Sequence, residues 1–163
     1  MILIALGANL PSAAGGPLQT LEAALKQLEA KGVRVVARSR WYRTAPVPVS
    51  DQPSFVNGVA RVETALEPFA LLTLLRQVEA EFGRQRSVPN AARTLDLDIV
   101  DYDGRIENTP ELILPHPRMQ DRAFVLLPLA EIAPHWQHPI RRQSVKSLVS
   151  ALPPGQKAET MTP

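Results

Sequence analysis

The sequence predicts an α+β fold: an antiparallel sheet with two helices on one face and extra helices toward the C-terminal end. Three observations carry this. Two long segments repeat leucine at helical spacing, each opened by proline and closed by glycine. Four other segments run continuously apolar or alternate apolar with polar residues, as strands do. Along the chain these segments follow the order β-α-β-β-α-β.

Each element has its own local reason. Residues 1–6 of MILIALG read as a buried first strand, and GANLPSAAGGP (7–17) as a loop. Residues 17–31 predict a helix: Pro17 suits the first turn, Leu18, Leu21, Leu25 and Leu28 share a face, and Gly32 stops it. VRVVARSRWYRT (33–44) alternates and reads as a strand. APVPVSDQPS (45–54) carries three prolines and reads as a loop, and FVNGVARVET (55–64) is the next strand. Residues 67–83 predict the second long helix, with Pro68 at its start, Leu71, Leu74, Leu75, Val78 and Phe82 on one face, and Gly83 at its end. The polar stretch RQRSVPNAA (84–92) breaks regularity.

Then comes ARTLDLDIVDYDG (92–104). Leu95, Leu97 and Ile99 fall on one parity, Thr94, Asp96 and Asp98 on the other, and Asp103-Gly104 signals a turn. ELILPHPRMQDR (111–122) leads into a helix over 121–132 with Asp121 as its cap, and another helix covers 144–152. PPGQKAETMTP (153–163) reads as a frayed end. The order is that of a split β-α-β, or ferredoxin-like, sheet. Its second face is expected to be open, with residues 1–155 as one domain and 156–163 as a flexible tail.

Composition narrows the function. The chain has 163 residues, is 45% hydrophobic and contains no cysteine, which excludes a disulfide scaffold and thiolate chemistry. The short apolar start lacks a basic leader and reads as a strand, not a signal peptide. No apolar run is long enough to span a membrane, so a cytoplasmic protein is expected; a monomer is expected as well. A net charge of +2 is too small to point to nucleic acid. Arginine makes up 14 of the 18 basic residues, a bias that suits phosphate oxygens and is also ordinary arginine-rich usage.

The parity of the Asp-x-Asp strand raises a physical question. Same-face residues two apart on a strand lie only about 6–7 Å apart, so two carboxylates there repel. Several polar groups are expected on the same open face. Phe55 and Asn57 share a parity, Thr44 precedes their strand, and Arg84, Arg86 and Arg93 bracket the aspartates. PHPRMQDR supplies His116, Arg118 and Arg122. Two carboxylates ringed by arginines suggest Mg²⁺ and a polyphosphate, the ions relieving the repulsion and the arginines holding the remaining charge. Each member also has an ordinary reading. Asp-x-Asp can be a solvated face, His116 a loop residue, Phe55 core, Asn57 a local backbone partner, and Arg84 and Arg86 dipole caps. The combination is what points to chemistry.

These residues carry a resemblance. ALGANL (5–10), YRTAPV (42–47), DQPSFVNGV (51–59), FGRQR (82–86), ARTLDLDIVDYDG (92–104) and LPHPRMQDRAFVLLPLAEIAP (114–134) resemble, in order, the 6-hydroxymethyl-7,8-dihydropterin pyrophosphokinases of folate synthesis. The resemblance implies ATP as co-substrate, two Mg²⁺ ions and a pterin alcohol that receives diphosphate while AMP is released. It implies Asp96 and Asp98 as metal ligands and Thr44, Ala45, Pro46, Val47, Phe55, Asn57 and Phe124 as the pterin pocket, with Phe55 and Phe124 sandwiching the ring. It implies Arg84 and Arg93 as catalytic phosphate-binding arginines, with Asp98 beside the reacting hydroxyl. Glu79, His116 and Arg122 match nucleotide-site positions, and Ile99 an adenine contact. Arg86 and Arg118 are added to the nucleotide site from the charge pattern. The chain departs from the family in SVPNAAR (87–93), which lacks an Arg-Trp pair, and at Ala45, Phe55 and Ala92. Arg84, on a loop after a helix end, is expected to swing in, and Arg93 to stand ready beside the metal strand. The alternatives are an RNA-binding module of the same topology, which would need several exposed aromatics, and a non-catalytic family member.

Overall fold

The computed structural model describes residues 1–45, 53–84 and 94–161. The strands are β1 (Ile2–Ala8), β2 (Arg34–Arg38), β3 (Tyr42–Thr44), β4 (Phe55–Glu63), β5 (Asp96–Tyr102), β6 (Glu107–Asn108), β7 (Ile113–Leu114) and β8 (Ala158–Thr160). The helices are α1 (Pro17–Ala30), α2 (Pro68–Glu81), α3 (Ala123–Ile132) and α4 (Val145–Ser150). The main sheet runs β5-β1-β4-β3-β8, with β2 also paired to β4, and all its pairings are antiparallel. β6 and β7 form a separate ribbon.

The two long helices follow their sequence signals. Each has proline in its first turn and buries its leucine stripe: Leu21, Leu25 and Leu28 from α1, Leu71, Leu75 and Val78 from α2. These pack on Ile2, Ile4 and Leu6 of β1 and on Leu97 and Ile99 of β5. Both helices close in the same way. The Val33 N–H donates to Leu28 O and the Gly32 N–H to Glu29 O. The Arg84 N–H likewise donates to Glu79 O and the Gly83 N–H to Ala80 O. These are paired 6→1 and 5→2 closures, a Schellman motif at each end.

Four expectations change. The second face of the sheet is not open. AFVLLPLAEI is apolar on nearly every side, so α3 needs a buried position. It takes one with α4 against Leu3, Val59 and Val100. Residues 33–44 form two strands. The Ser39 hydroxyl accepts from the Val59 N–H at 3.0 Å, replacing a ladder carbonyl, and Trp41 then turns inward. Asp121 does not cap α3. It lies in a 3₁₀ turn (Met119–Asp121), and the first amide of α3, on Ala123, donates to the Gln156 side chain at 2.9 Å. Finally, the stretch expected to fray carries β8, paired with β3.

One irregularity matters for the site. The register of β5 on β1 shifts so that Ile99 faces Ile4 while Asp101 faces Leu3, leaving Val100 as an extra residue. The strand ends at Asp103-Gly104, where both residues have positive φ (52° and 73°) and the Arg105 N–H returns to Tyr102 O at 2.9 Å.

Candidate functional site

The site begins as a row across the sheet. Asp96 lies opposite Gly7, Gly7 opposite Asn57, and Asn57 opposite Tyr42. Directly opposed residues of antiparallel strands share a face. Asp98, opposite Ala5, and Phe55, opposite Thr44, therefore lie on that face too. This is the face on which α3 packs. The parity argument for Asp96, Asp98, Phe55 and Asn57 is thus met, and both aspartates are half-buried. The Thr44 hydroxyl donates to Asn57 Oδ1 at 2.6 Å, which fixes the amide with its Nδ2 over β1. A Cβ at Gly7 would stand 2.5 Å from that nitrogen, so glycine is what lets the Asn57 amide lie across the strand.

The aspartates are not left to repel each other. Arg84 Nη1 donates to Asp96 Oδ1 at 2.7 Å and to Leu95 O at 3.2 Å. Arg76 Nη2 stands 3.7 Å from Asp98 Oδ1, and its Nη1 donates to Glu79 at 3.0 Å and to Leu97 O at 2.9 Å. Glu79, only 1% exposed, lies between the two arginines and accepts the Leu97 N–H at 2.8 Å; its second arginine contact, to Arg84, is 3.8 Å. Three side chains from α2 and its cap thus satisfy backbone groups along the outer edge of β5. The Schellman closure explains how Arg84 arrives. In α1 the residues brought together by the 6→1 bond are Leu28 and Val33, an apolar pair. In α2 the corresponding residues are Glu79 and Arg84, an ion pair. Arg84 is 7% exposed and already engaged, so it does not need to swing in.

Arg76 is the member of this charged network that the sequence does not single out. Its only signal was the i,i+3 spacing to Glu79, common on any helix. Glu79, a nucleotide-site position by the resemblance, is a buried buttress against both arginines. Ile99 was expected to touch a ligand, but its side chain is 3% exposed in the core beneath α1 and α2, on the face opposite the aspartates. Pro46, Val47, Arg86 and Arg93 lie outside the described residues. Ala45 is exposed just after β3.

The other wall comes from the segment before α3 and from its first turn. Phe124, half-buried, has the Arg122 guanidinium 5.3 Å from its ring centroid. His116 is tied to β5 through its N–H to Val100 O at 3.0 Å, and its Nδ1 accepts the Arg118 N–H at 3.2 Å. Burial first, then the nearby Arg122 and Arg118 charges, push the His116 pKa down to about 4 against the opposing pull of Asp96. The imidazole is therefore neutral at neutral pH. Arg118 itself is exposed. Tyr42 joins β3 to the far end of α3, donating its hydroxyl to Glu131 at 2.6 Å. Burial and then this bond push its pKa up to about 12.

This donor set fits a hard divalent cation together with a polyanion. Among the described residues no group of three metal-binding side chains occurs. Mg²⁺ does not need one, since it takes one or two carboxylates and completes its shell with phosphate oxygens and water. Arg84 Nε is buried without a hydrogen-bond partner among the described residues, a donor suited to an incoming anionic oxygen.

Comparison with known proteins places the chain in a family. Residues 3–134 match the family model described as 7,8-dihydro-6-hydroxymethylpterin-pyrophosphokinase (HPPK). A Pseudomonas aeruginosa protein named 2-amino-4-hydroxy-6-hydroxymethyldihydropteridine pyrophosphokinase is 42% identical over 153 residues, covering 93% of this chain and 91% of the relative. A Haemophilus influenzae protein of the same name is 43% identical over 131 residues, covering 80% and 79%. The Folic acid synthesis protein fol1 of Pneumocystis carinii is 38% identical over 146 residues; these cover 90% of this chain but only 19% of that longer protein. The crystal structure of Plasmodium falciparum HPPK-DHPS wild type shares the fold with a TM-score of 0.71 at 14% identity, over 92% of this chain and 40% of that one.

Proposed function

The chain belongs to the 7,8-dihydro-6-hydroxymethylpterin-pyrophosphokinase family, and from that premise we propose that it transfers diphosphate from ATP to 6-hydroxymethyl-7,8-dihydropterin in folate synthesis. The substrate's hydroxymethyl oxygen bonds to the β-phosphorus as the bond from that phosphorus to the AMP oxygen breaks. AMP leaves, the hydroxyl proton is released, and the pterin diphosphate remains. The observation that carries this reading is the row Asp96–Gly7–Asn57, with Arg84 held against Asp96 at 2.7 Å. The row supports the reading because a charged Asp96–Arg84 end and the Asn57 amide lie side by side on one sheet face.

Asp96 and Asp98 are the residues that would hold Mg²⁺, which when bound neutralises phosphate charge and polarises the transferred group. Arg84 offers its buried Nε–H to phosphate oxygens and neutralises charge building on the transferring phosphoryl group. Arg93 and Arg86 are proposed as further phosphate-binding arginines, with Arg118, Arg122 and His116 along the nucleotide. Neutral His116 can accept or donate a hydrogen bond there without adding charge. Asn57, oriented by Thr44, reads the amide edge of the pterin, and Phe55 and Phe124 stack on its faces. Ala45, Pro46 and Val47 complete the pocket through their backbone. The ferredoxin-like reading of the sheet, a single catalytic unit, a monomeric state and a cytoplasmic location belong to the same proposal. No helix among the described residues is long and apolar enough to cross a membrane.

The test is direct. The chain is mixed with ATP, Mg²⁺ and the pterin alcohol, and AMP and pterin diphosphate should form one to one. ADP formation, or no AMP above the rate without pterin, overturns the reading. The RNA-binding alternative is disfavoured by two carboxylates on the face where bases would stack; added RNA should leave the melting temperature unchanged.

A further inference from the structure

The family match ends at residue 134, yet two walls of the site are joined by chain well beyond it. One wall is the end of β3, where Thr44 holds Asn57. The other is the start of α3, where Arg122 lies over Phe124. At the far end of α3 these layers are tied by Glu131, which accepts the Tyr42 hydroxyl at 2.6 Å and the Arg40 N–H at 2.7 Å. At the near end the tie is made by the C-terminal segment. Gln156 Oε1 accepts the Ala123 N–H at 2.9 Å, and Gln156 Nε2 donates to Asp121 O at 2.7 Å. Two residues later the chain joins the sheet. Ala158 pairs with Thr44, Glu159 with Arg43 and Thr160 with Tyr42, and the Met161 N–H donates to Trp41 O at 2.9 Å.

We propose that residues 156–161 are a clasp that sets the gap between Thr44 and Phe124, with Gln156 as a positioning residue for the flat ring. This rests on the functional reading above. The chemistry favours a positioning role over simple anchoring. An amide side chain that both accepts from the first helical N–H and donates to the carbonyl just before the helix fixes where α3 starts and how it is turned. The arginine-covered phenyl ring is the second residue of that helix. The other end of the clasp pairs in register with the residue that orients Asn57. A change in the clasp therefore moves one wall of the ring slot relative to the other. It leaves the Arg84–Glu79–Arg76 network on the far strand untouched.

The experiment uses the full chain. Equilibrium titration of 6-hydroxymethylpterin, followed by its own fluorescence, is set beside titration of a non-hydrolysable ATP analogue with Mg²⁺. Gln156→Ala and the isosteric Gln156→Met should both weaken pterin binding by about tenfold, the scale of losing the paired hydrogen bonds, with nucleotide affinity unchanged. Wild-type pterin affinity in both variants overturns the clasp. So does a loss in Gln156→Ala that Gln156→Met restores, which would make the role one of volume. Equal weakening of both ligands also overturns it, by showing general support. A wild-type chain that binds nucleotide but no pterin overturns the functional reading itself, so the two failures are distinguishable.

Discussion

At the scale of single residues, the charged cluster divides into half-buried aspartates, proposed to meet ligand, and a buried glutamate that faces the fold. Asp98 is half-buried and its Arg76 contact is long, at 3.7 Å. Asp98→Asn should therefore change stability by less than about 1 kcal/mol, as for a partly solvated pair. Turnover should fall at least about a hundredfold, the scale for losing a preorganised charge-stabilising group. Glu79 is the reverse case. It is buried, accepts the Leu97 N–H and sets its negative charge between two guanidiniums. Glu79→Gln keeps an acceptor but removes the charge, and should destabilise the fold by about 3 kcal/mol, the lower end for breaking a buried ion pair. Denaturant midpoints beside AMP-release rates separate the two. A stable, fully active Glu79→Gln protein would refute the buttress. Two carboxylates two apart on a strand repel, so removing one would by itself favour folding. With Arg84 and Arg76 already in place, that gain is largely absent.

At the scale of elements, the cap of α2 is what brings Arg84 to Asp96. Gly83 has φ of 85°, a conformation that costs an alanine about 1–2 kcal/mol. Gly32 closes α1 identically, with φ of 88°. Gly83→Ala and Gly32→Ala should lose similar stability, but only Gly83→Ala should also slow diphosphate transfer, because only there does the closure aim a site residue. Equal rates in the two variants would show that Arg84 reaches Asp96 without help from the cap. The helices were legible because proline, glycine and leucine spacing mark them locally, and the aspartate pair because alternation fixes a face. The β5 bulge was not. Strict alternation sets Asp101 with Leu97 and Ile99. The extra residue at Val100 turns it to the α3 face, where its Oδ2 accepts the Trp136 indole N–H at 2.9 Å. A single inserted residue leaves no periodic trace. Nor could Gln156 be read as the cap of a helix beginning at residue 123. That contact exists only once the sheet has brought β8 beside β3.

At the scale of the whole molecule, proton uptake ties the site to stability. The His116 pKa falls from the ordinary 6.5 to about 4 on folding, chiefly through burial. Between those values the unfolded chain holds a proton that the folded chain does not, so stability rises with pH across this window and is lost as pH falls through it. His138, also buried with its pKa lowered, acts in the same direction. Thermal melts from pH 7 to pH 4 should show wild type losing ground to His116→Asn progressively below pH 6.5, with a constant offset above it. A constant offset throughout would place His116 in solvent. The clamp on β5 has a consequence outside the molecule. An edge strand with bare N–H and C=O groups is a template on which another chain can add. Here Glu79, Arg76 and Arg84 occupy the Leu97 and Leu95 positions of that edge, with charges that no incoming strand can replace cheaply. The side chains that brace the two aspartates also protect the chain from edge-to-edge aggregation.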